Sequence, residues 1–156
     1  MCVCWNQVDC EFRISESTME IKTKLISLIR PQKKTFYNIH DPKGIKILFQ
    51  LRLELSQLKA HKHKHNFQDI PNDLCDCLEA PENISHFLFE CRRFTGSRAL
   101  LIRTTDTLLR NHNLTCELFN PMIYLYGHSS LSTEENREVL LATINYIVCT
   151  KRFQNS

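Results

Sequence analysis

The sequence predicts a mainly α fold: a small helical domain with a Cys-Cys-His-Cys zinc knuckle at its centre. Three observations predict it. Apolar residues recur at three- to four-residue spacing through much of the chain. Three glycines and five prolines among 156 residues are too few for a turn-rich β fold. Cys75, Cys77, His86 and Cys91 lie close together and supply four metal-ligand side chains.

The length suits one domain with a modest core, or a small domain with an appended knuckle. No apolar run approaches the roughly 20 residues of a membrane span, so no membrane partner is expected. Met1 to Cys10 carries Asp9 and no basic stretch, unlike a secretory leader. The expected location is therefore intracellular, nuclear or cytoplasmic. The eight cysteines then read as reduced thiols or metal ligands rather than disulfides. Charge is uneven. Residues 1–66 hold 12 Lys/Arg against 6 Asp/Glu, and residues 67–156 hold 8 against 11. A basic half before the cysteine motif suits a polyanionic partner, RNA or DNA, although solvated helix faces produce the same imbalance.

In chain order, residues 1–16 show no periodicity and are expected to be irregular; they contain Cys2, Cys4, Cys10 and Trp5. Residues 17–66 form a basic helical segment. Ser17 and Glu20 fit a capping box, with Ile21, Leu25, Leu28 and Ile29 as the stripe that follows and Pro31 as the stop. Asp41-Pro42 is a second start signal, Asp at N-cap and Pro at N1. Ile45, Leu48, Leu51, Leu55 and Leu58 then predict one helix, or two broken near Ser56.

Residues 67–96 are the expected knuckle, with Asn83 to Phe94 as one short helix carrying both His86 and Cys91. Residues 97–156 form a C-terminal helical segment. Arg98 to Asn111 is one helix, with Leu101, Leu108 and Leu109 inward. Phe119, Met122, Ile123, Leu125 and Tyr126 make a buried patch around Pro121, ended by Gly127. Ser132-Thr133-Glu134-Glu135 opens a last helix whose inward stripe is Val139, Leu140, Ile144, Ile147 and Val148. Cys116 and Cys149 sit among apolar residues and read as core.

Three thiolates and one neutral imidazole complete a tetrahedron and leave no position for water. A closed site of that kind holds structure, whereas an open one performs chemistry. Zn²⁺ is the expected ion. Two other readings of the same residues are buried small hydrophobes and a redox pair at Cys75/Cys77. Asp76, Glu79, Glu82 and Glu90 surround the motif and are expected to keep it soluble.

Lys59, Lys62 and Lys64 alternate with His61, His63 and His65, and Arg92 and Arg93 follow Cys91. These five cations are the candidate nucleic-acid contacts. Neutralising three to four phosphates gives a slope of log K against log salt of roughly −3. The plainer reading is a solvated helix end whose cations favour the negative end of the helix dipole. Phe67, Phe36 and Tyr37 have the chemistry to stack bases, with core packing as the ordinary alternative.

Several blocks occur together in order. They are Phe36-Tyr37-Asn38-Ile39-His40-Asp41-Pro42-Lys43-Gly44, the run Leu51-Arg52-Leu53-Glu54-Leu55-Ser56-Gln57-Leu58-Lys59-Ala60-His61, His65-Asn66-Phe67-Gln68-Asp69, Cys75-Asp76-Cys77, Glu82 to Cys91, and Leu125-Tyr126-Gly127 with a closing helix to Arg152-Phe153. As an ordered set, from about Ile14 to Phe153, they resemble the C-terminal tail of non-LTR (LINE-like) retrotransposon reverse-transcriptase polyproteins. The resemblance implies a zinc-binding region downstream of a polymerase that helps hold RNA or target DNA, with Cys75, Cys77, His86 and Cys91 as ligands. Glu54 and Leu78 depart from that pattern, since both stand where glycine is usual, at turns that need positive φ.

No Tyr-x-Asp-Asp run and no nuclease carboxylate set occur, and Ser129 and Ser130 beside His128 lack a placed acid. No catalytic residue is assigned. The expected function is a non-catalytic, zinc-binding, nucleic-acid-binding module. The alternatives are an interaction fragment that packs on other parts of a retroelement polyprotein, or a remnant without selected function.

Overall fold

The computed structural model describes residues 41–154. The helix expected over Ser17–Ile29 and the cysteines at 2, 4 and 10 lie outside them. Five α-helices are present among the described residues: α1 (Pro42–Arg52), α2 (Lys59–Lys64), α3 (Thr95–Asn111), α4 (Pro121–Tyr126) and α5 (Thr133–Cys149). A π turn spans His86–Glu90, and 3-10 turns span Arg92–Phe94 and Thr115–Glu117. Extended pairing among these residues is limited to one antiparallel bridge, Leu74 with Pro81.

α1 begins as its sequence dictates. Asp41 Oδ1 accepts the Gly44 N–H at 2.9 Å, and Pro42 takes the first helical position. Gly44 meets α5 so closely that an added Cβ would collide with Ile144 Cγ2. The helix stops in a Schellman arrangement: Leu55 N–H donates to Gln50 O at 2.8 Å, Glu54 N–H to Leu51 O at 3.1 Å, and Glu54 takes φ 55°. The stripe therefore breaks before its expected end. Leu48, Leu51 and Leu58 are buried, but Leu55 turns to solvent. A periodicity continued across an αL residue no longer marks one face.

α5 packs on α1, α3 and α4 and is the centre of the domain. Its start is the expected capping box: Ser132 Oγ accepts the Glu135 N–H at 3.3 Å and Glu135 Oε2 the Ser132 N–H at 2.8 Å. Val139, Leu140, Ile144 and Ile147 face inward as expected, and Tyr146 joins them. Val148 does not; it is 43% exposed. Cys116 and Cys149 are also exposed rather than core, because each sits on the outer side of its turn or helix.

α3 starts at Thr95, three residues earlier than expected, and buries Leu101, Thr105 and Leu109, with Leu108 half-buried. In α4, Asn120 Oδ1 accepts the Met122 N–H at 3.0 Å, and Gly127 closes the helix at φ 81°. The place of its missing Cβ is taken by the Asn136 carboxamide, whose Oδ1 accepts the His128 N–H at 2.7 Å. The α4 patch differs from expectation. Ile123, Tyr124 and Leu125 are buried, whereas Phe119 and Met122 are 63% and 53% exposed. Met122 falls on the outer side of the short helix, and Phe119 lies before its start.

One core serves all these elements. It runs from Leu48 to Phe153 and includes Phe87 and Leu88 of the π turn. The Phe87 ring packs 5.4 Å from Phe94, 5.2 Å from Tyr146 and 5.4 Å from Phe153, in edge and tilted geometries. The segment that carries His86 and Cys91 is thus built into the domain rather than appended to it.

Candidate metal centre

Two local structures bring the four residues together. The first is a loop folded on itself. Glu82 N–H donates to Asp73 O at 2.7 Å, Cys75 N–H to Ala80 O at 2.9 Å and Leu78 N–H to Cys75 O at 2.8 Å. Cys75 and Cys77 flank its turn, and Leu78 closes it at φ 66°. The second is the π turn. His86 and Cys91 are five residues apart, which in a regular α-helix places them about 140° apart around the axis. The expected single helix could not aim both at one point. Here the Cys91 N–H reaches back to His86 O at 2.8 Å, one residue further than an α-helix allows. Cys91 then leaves the helix at φ −56°, ψ 118°.

Neighbouring side chains cap the carbonyls that this wide turn releases. Tyr146 Oη donates to Phe87 O. Arg98 Nε donates to Leu88 O at 2.7 Å and its Nη2 to Cys91 O at 2.6 Å. On the opposite loop, Arg92 Nη2 donates to Cys77 O at 3.1 Å. Arg98 and Tyr146 leave no local pattern in the sequence, because each acts on a carbonyl of another element.

The four donor atoms lie within 4.8 Å of one another and all four residues are buried. Cys75 Sγ and Cys91 Sγ are 3.7 Å apart, and Cys77 Sγ is 3.2 Å from His86 Nε2. A tetrahedral ion with metal–sulfur bonds of about 2.3 Å requires sulfur–sulfur edges near 3.8 Å. The set fits a metal ion on geometry. The imidazole fits as well: with Nε2 turned to the sulfurs, the buried Nδ1 has no hydrogen-bond partner, and the Glu90 carboxylate stands 3.4 Å away. A carboxylate behind a ligating histidine fixes its tautomer.

The thiols are not equivalent. Burial pushes the Cys75 thiol up to about 12. Burial also opposes ionisation of Cys77, but the Glu79 backbone N–H and the Cys75 and Cys91 thiols outweigh it and hold Cys77 below the ordinary thiol value. Three sulfurs in one apolar site are stable as thiolates only with a cation among them.

No family model matches the chain, and no curated protein and no solved structure does either.

The acidic residues around the motif do more than solubilise it. Asp76, between the two cysteines, takes Lys59 Nζ at 2.6 Å and Arg93 Nη1 at 2.7 Å. The Lys59 contact, with Arg93 in support, holds its carboxyl below the usual range. Glu82 is fully buried. It receives Arg152 at both oxygens, each at 2.6 Å, and its Oε2 also accepts the Lys59 N–H at 2.9 Å, which caps α2.

The five candidate nucleic-acid contacts line this side of the molecule, and each has a carboxylate beside it. Lys59 and Arg93 share Asp76, Arg92 meets Glu79 at 3.3 Å, Lys62 meets Asp69 at 4.0 Å, and Lys64 meets Glu54. His61 leaves the alternating run: it is buried, with Nδ1 2.7 Å from Ser56 Oγ, and burial lowers its pKa. Phe67 is exposed rather than packed in the core. It closes a second Schellman motif, its N–H on Lys62 O at 3.1 Å with Asn66 at φ 55°. Phe36 and Tyr37 lie outside the described residues.

Proposed function

We propose that Cys75, Cys77, His86 and Cys91 hold one zinc ion and that the chain is a non-catalytic module that binds nucleic acid, of the kind its sequence resembles in retrotransposon reverse-transcriptase tails. The carrying observation is the closed, buried four-donor set with a 3.7 Å sulfur–sulfur edge. Soft thiolates with one imidazole in tetrahedral array favour zinc over harder divalent ions. Zinc would supply cross-linking and charge neutralisation there, with no open position for a substrate. The side chains of this chain do the rest. Glu90 orients His86; Arg98, Tyr146 and Arg92 hold the backbone of both halves; Glu82 and Asp76 tie the loop to α2 and to the chain after α5.

The nucleic-acid part rests on the ordered resemblance and on the basic first half of the sequence. Metal content of the purified chain comes first: one zinc per chain is expected, and substantially less for Cys77→Ser. Binding of RNA and DNA oligonucleotides over a salt series comes second. Zinc-loaded protein that binds neither at low salt would sink the nucleic-acid reading and leave the metal reading standing.

A second reading, a protein-interaction fragment, is favoured by one feature. An apolar groove of about 480 Å³ between α3 and α5 is walled by Leu100, Leu141 and Ala142, and Leu100 is 54% exposed. Self-association or hydrophobic-dye binding by zinc-loaded protein would support it.

A further inference from the structure

Each of the five cations near the Cys/His cluster has a carboxylate within 4.0 Å, which competes with a polyanion for it. A second basic surface is not held in this way. α1 and the end of α5 face each other across a cleft of about 620 Å³. Lys43, Lys46 and Gln50 stand on the α1 wall, and Lys151 and Gln154 on the other. Among the described residues, no Asp or Glu lines this cleft. Among the described residues, none of the three lysines has a carboxylate within 4.0 Å. All three are exposed.

Positions 43, 46 and 50 follow helical spacing, so they share one face of α1 and extend over about 10 Å. The negative end of the α5 dipole, about half a charge, offsets part of Lys151 and leaves roughly +2.5 in the cleft. Among the described residues the floor is aliphatic, with Ile47 half-buried and Val148 exposed; Phe153, the one ring of these that reaches it, is 6% exposed and presents no stacking face. Such a site recognises a charged backbone rather than bases. The two glutamine amides add donors for phosphate or sugar oxygens. The volume lies in the range of small-ligand clefts, room for a few nucleotides of one strand, while a duplex reaches only the rim.

We infer that this α1–α5 cleft, rather than the Lys59–Lys64 run, carries the phosphodiester backbone of a single-stranded polynucleotide. The inference rests on the nucleic-acid reading above and assigns its contact surface. The exchange is electrostatic: three lysines with no carboxylate partner among the described residues release counterions on contact, whereas ion-paired ones first lose a carboxylate.

The test uses the full zinc-loaded chain and short fluorescein-labelled oligouridylate and oligodeoxythymidylate, with anisotropy read over a salt series. The cleft variant combines Lys43→Gln, Lys46→Gln and Lys151→Asn; Asn is chosen because Lys151 has φ 55°, a region Asn tolerates. At about 0.7 per phosphate for single strands, the salt slope should fall by about 2, a loss of affinity near 100-fold at 0.1 M salt relative to 1 M. Both oligonucleotides should weaken alike. Unchanged metal content and thermal unfolding show that the variant is folded. The comparison variant, Lys62→Gln with Lys64→Gln, should change the slope less. If it changes the slope more, the inference is wrong. It is equally wrong if labelled oligoglutamate binds the cleft and neither oligonucleotide does, which would assign the surface to an acidic protein. If the native chain binds no strand, the nucleic-acid reading itself fails first.

Discussion

Glu82 and Arg152 form a two-point ion pair across 70 positions of sequence, both contacts at 2.6 Å, with the carboxylate fully buried. The same glutamate caps α2 through the Lys59 N–H, and Arg152 Nη2 also donates to Gln57 O at 3.0 Å. Three segments therefore meet at one carboxylate: the start of α2, the metal loop and the chain after α5. Hydrogen bonding to Glu82 raises the Arg152 pKa, so the guanidinium keeps its charge. Removing one partner strands the other. Glu82→Ala should destabilise the domain by about 3–5 kcal/mol. The double variant with Arg152→Met should recover a substantial part of that loss, read from denaturant unfolding as a double-mutant cycle. An additive cycle would show that the pair does not act as a unit.

Gly44 marks a close crossing. An added methyl group would enter Ile144 Cγ2, which belongs to a buried α5 residue with little freedom to move. Gly44→Ala normally stabilises a helix; here overpacking should reverse the sign and cost about 1–3 kcal/mol. Thermal unfolding of the zinc-loaded variant measures it. A rise in melting temperature would mean that α1 and α5 can separate.

Leu78 is held at φ 66° with its side chain 75% exposed, so it bears backbone strain without burying surface in return. The left-handed region costs a non-glycine residue about 1–2 kcal/mol, and glycine returns roughly 0.5–1 of that through unfolded-state entropy. Leu78→Gly should therefore stabilise by about 0.5–1 kcal/mol. Glu54→Gly relieves the same strain but loses the Lys64 ion pair, an exposed contact worth about 0–1 kcal/mol, and should be close to neutral. Denaturant midpoints of the two variants give the comparison.

These positions show which parts of the molecule the sequence discloses. Asp41-Pro42, the Ser132–Glu135 box and the four donor residues are readable because their chemistry is local. Glu54 and Leu78 carry no local sign of the positive φ that both adopt, a region that favours glycine. Leu55 and Val148 defeat periodicity because a helix end lies just before one and at the other. The His86–Cys91 turn escapes a helix template because only an i to i−5 hydrogen bond aligns the two ligands. Glu82 reads as one more solvated acid in the sequence, because its partner lies too far along the chain for any window to connect them.

Glu135 gives an acid-range prediction. Its carboxyl is lowered to about 2, first by the His112 contact at 2.7 Å and then by the Ser132 hydroxyl and backbone. A folded value below the unfolded value of about 4.3 means that the contribution is present above that pH and is lost as pH falls toward about 2. Glu135→Gln should lower the melting temperature near neutral pH, and the gap to the native chain should close between about pH 4 and pH 2. Any loss of metal in acid affects both proteins, so the difference isolates Glu135. A gap independent of pH would place its role in the capping hydrogen bonds alone.

Removing the proposed zinc should unfold more than the Cys75–Cys91 segment. Phe87 and Leu88 lie between His86 and Cys91 and belong to the common core, and Glu82 ties the same loop to α2 and Arg152. Structural zinc contributes about 10–16 kcal/mol of apparent binding energy in small modules, comparable with the whole stability of a domain of this size, roughly 5–15 kcal/mol. Without it, three sulfurs and an imidazole are left clustered in a buried site. Chelation should therefore abolish the cooperative thermal transition, and Cys77→Ser should do the same without chelator. Hydrogen exchange separates the outcomes: loss of protection in α5 as well as in the π turn is expected, because Tyr146 joins the two through Phe87 O. Protection retained in α5 with the knuckle alone exposed would show that the helices form an independent core and that the metal secures only its own loop.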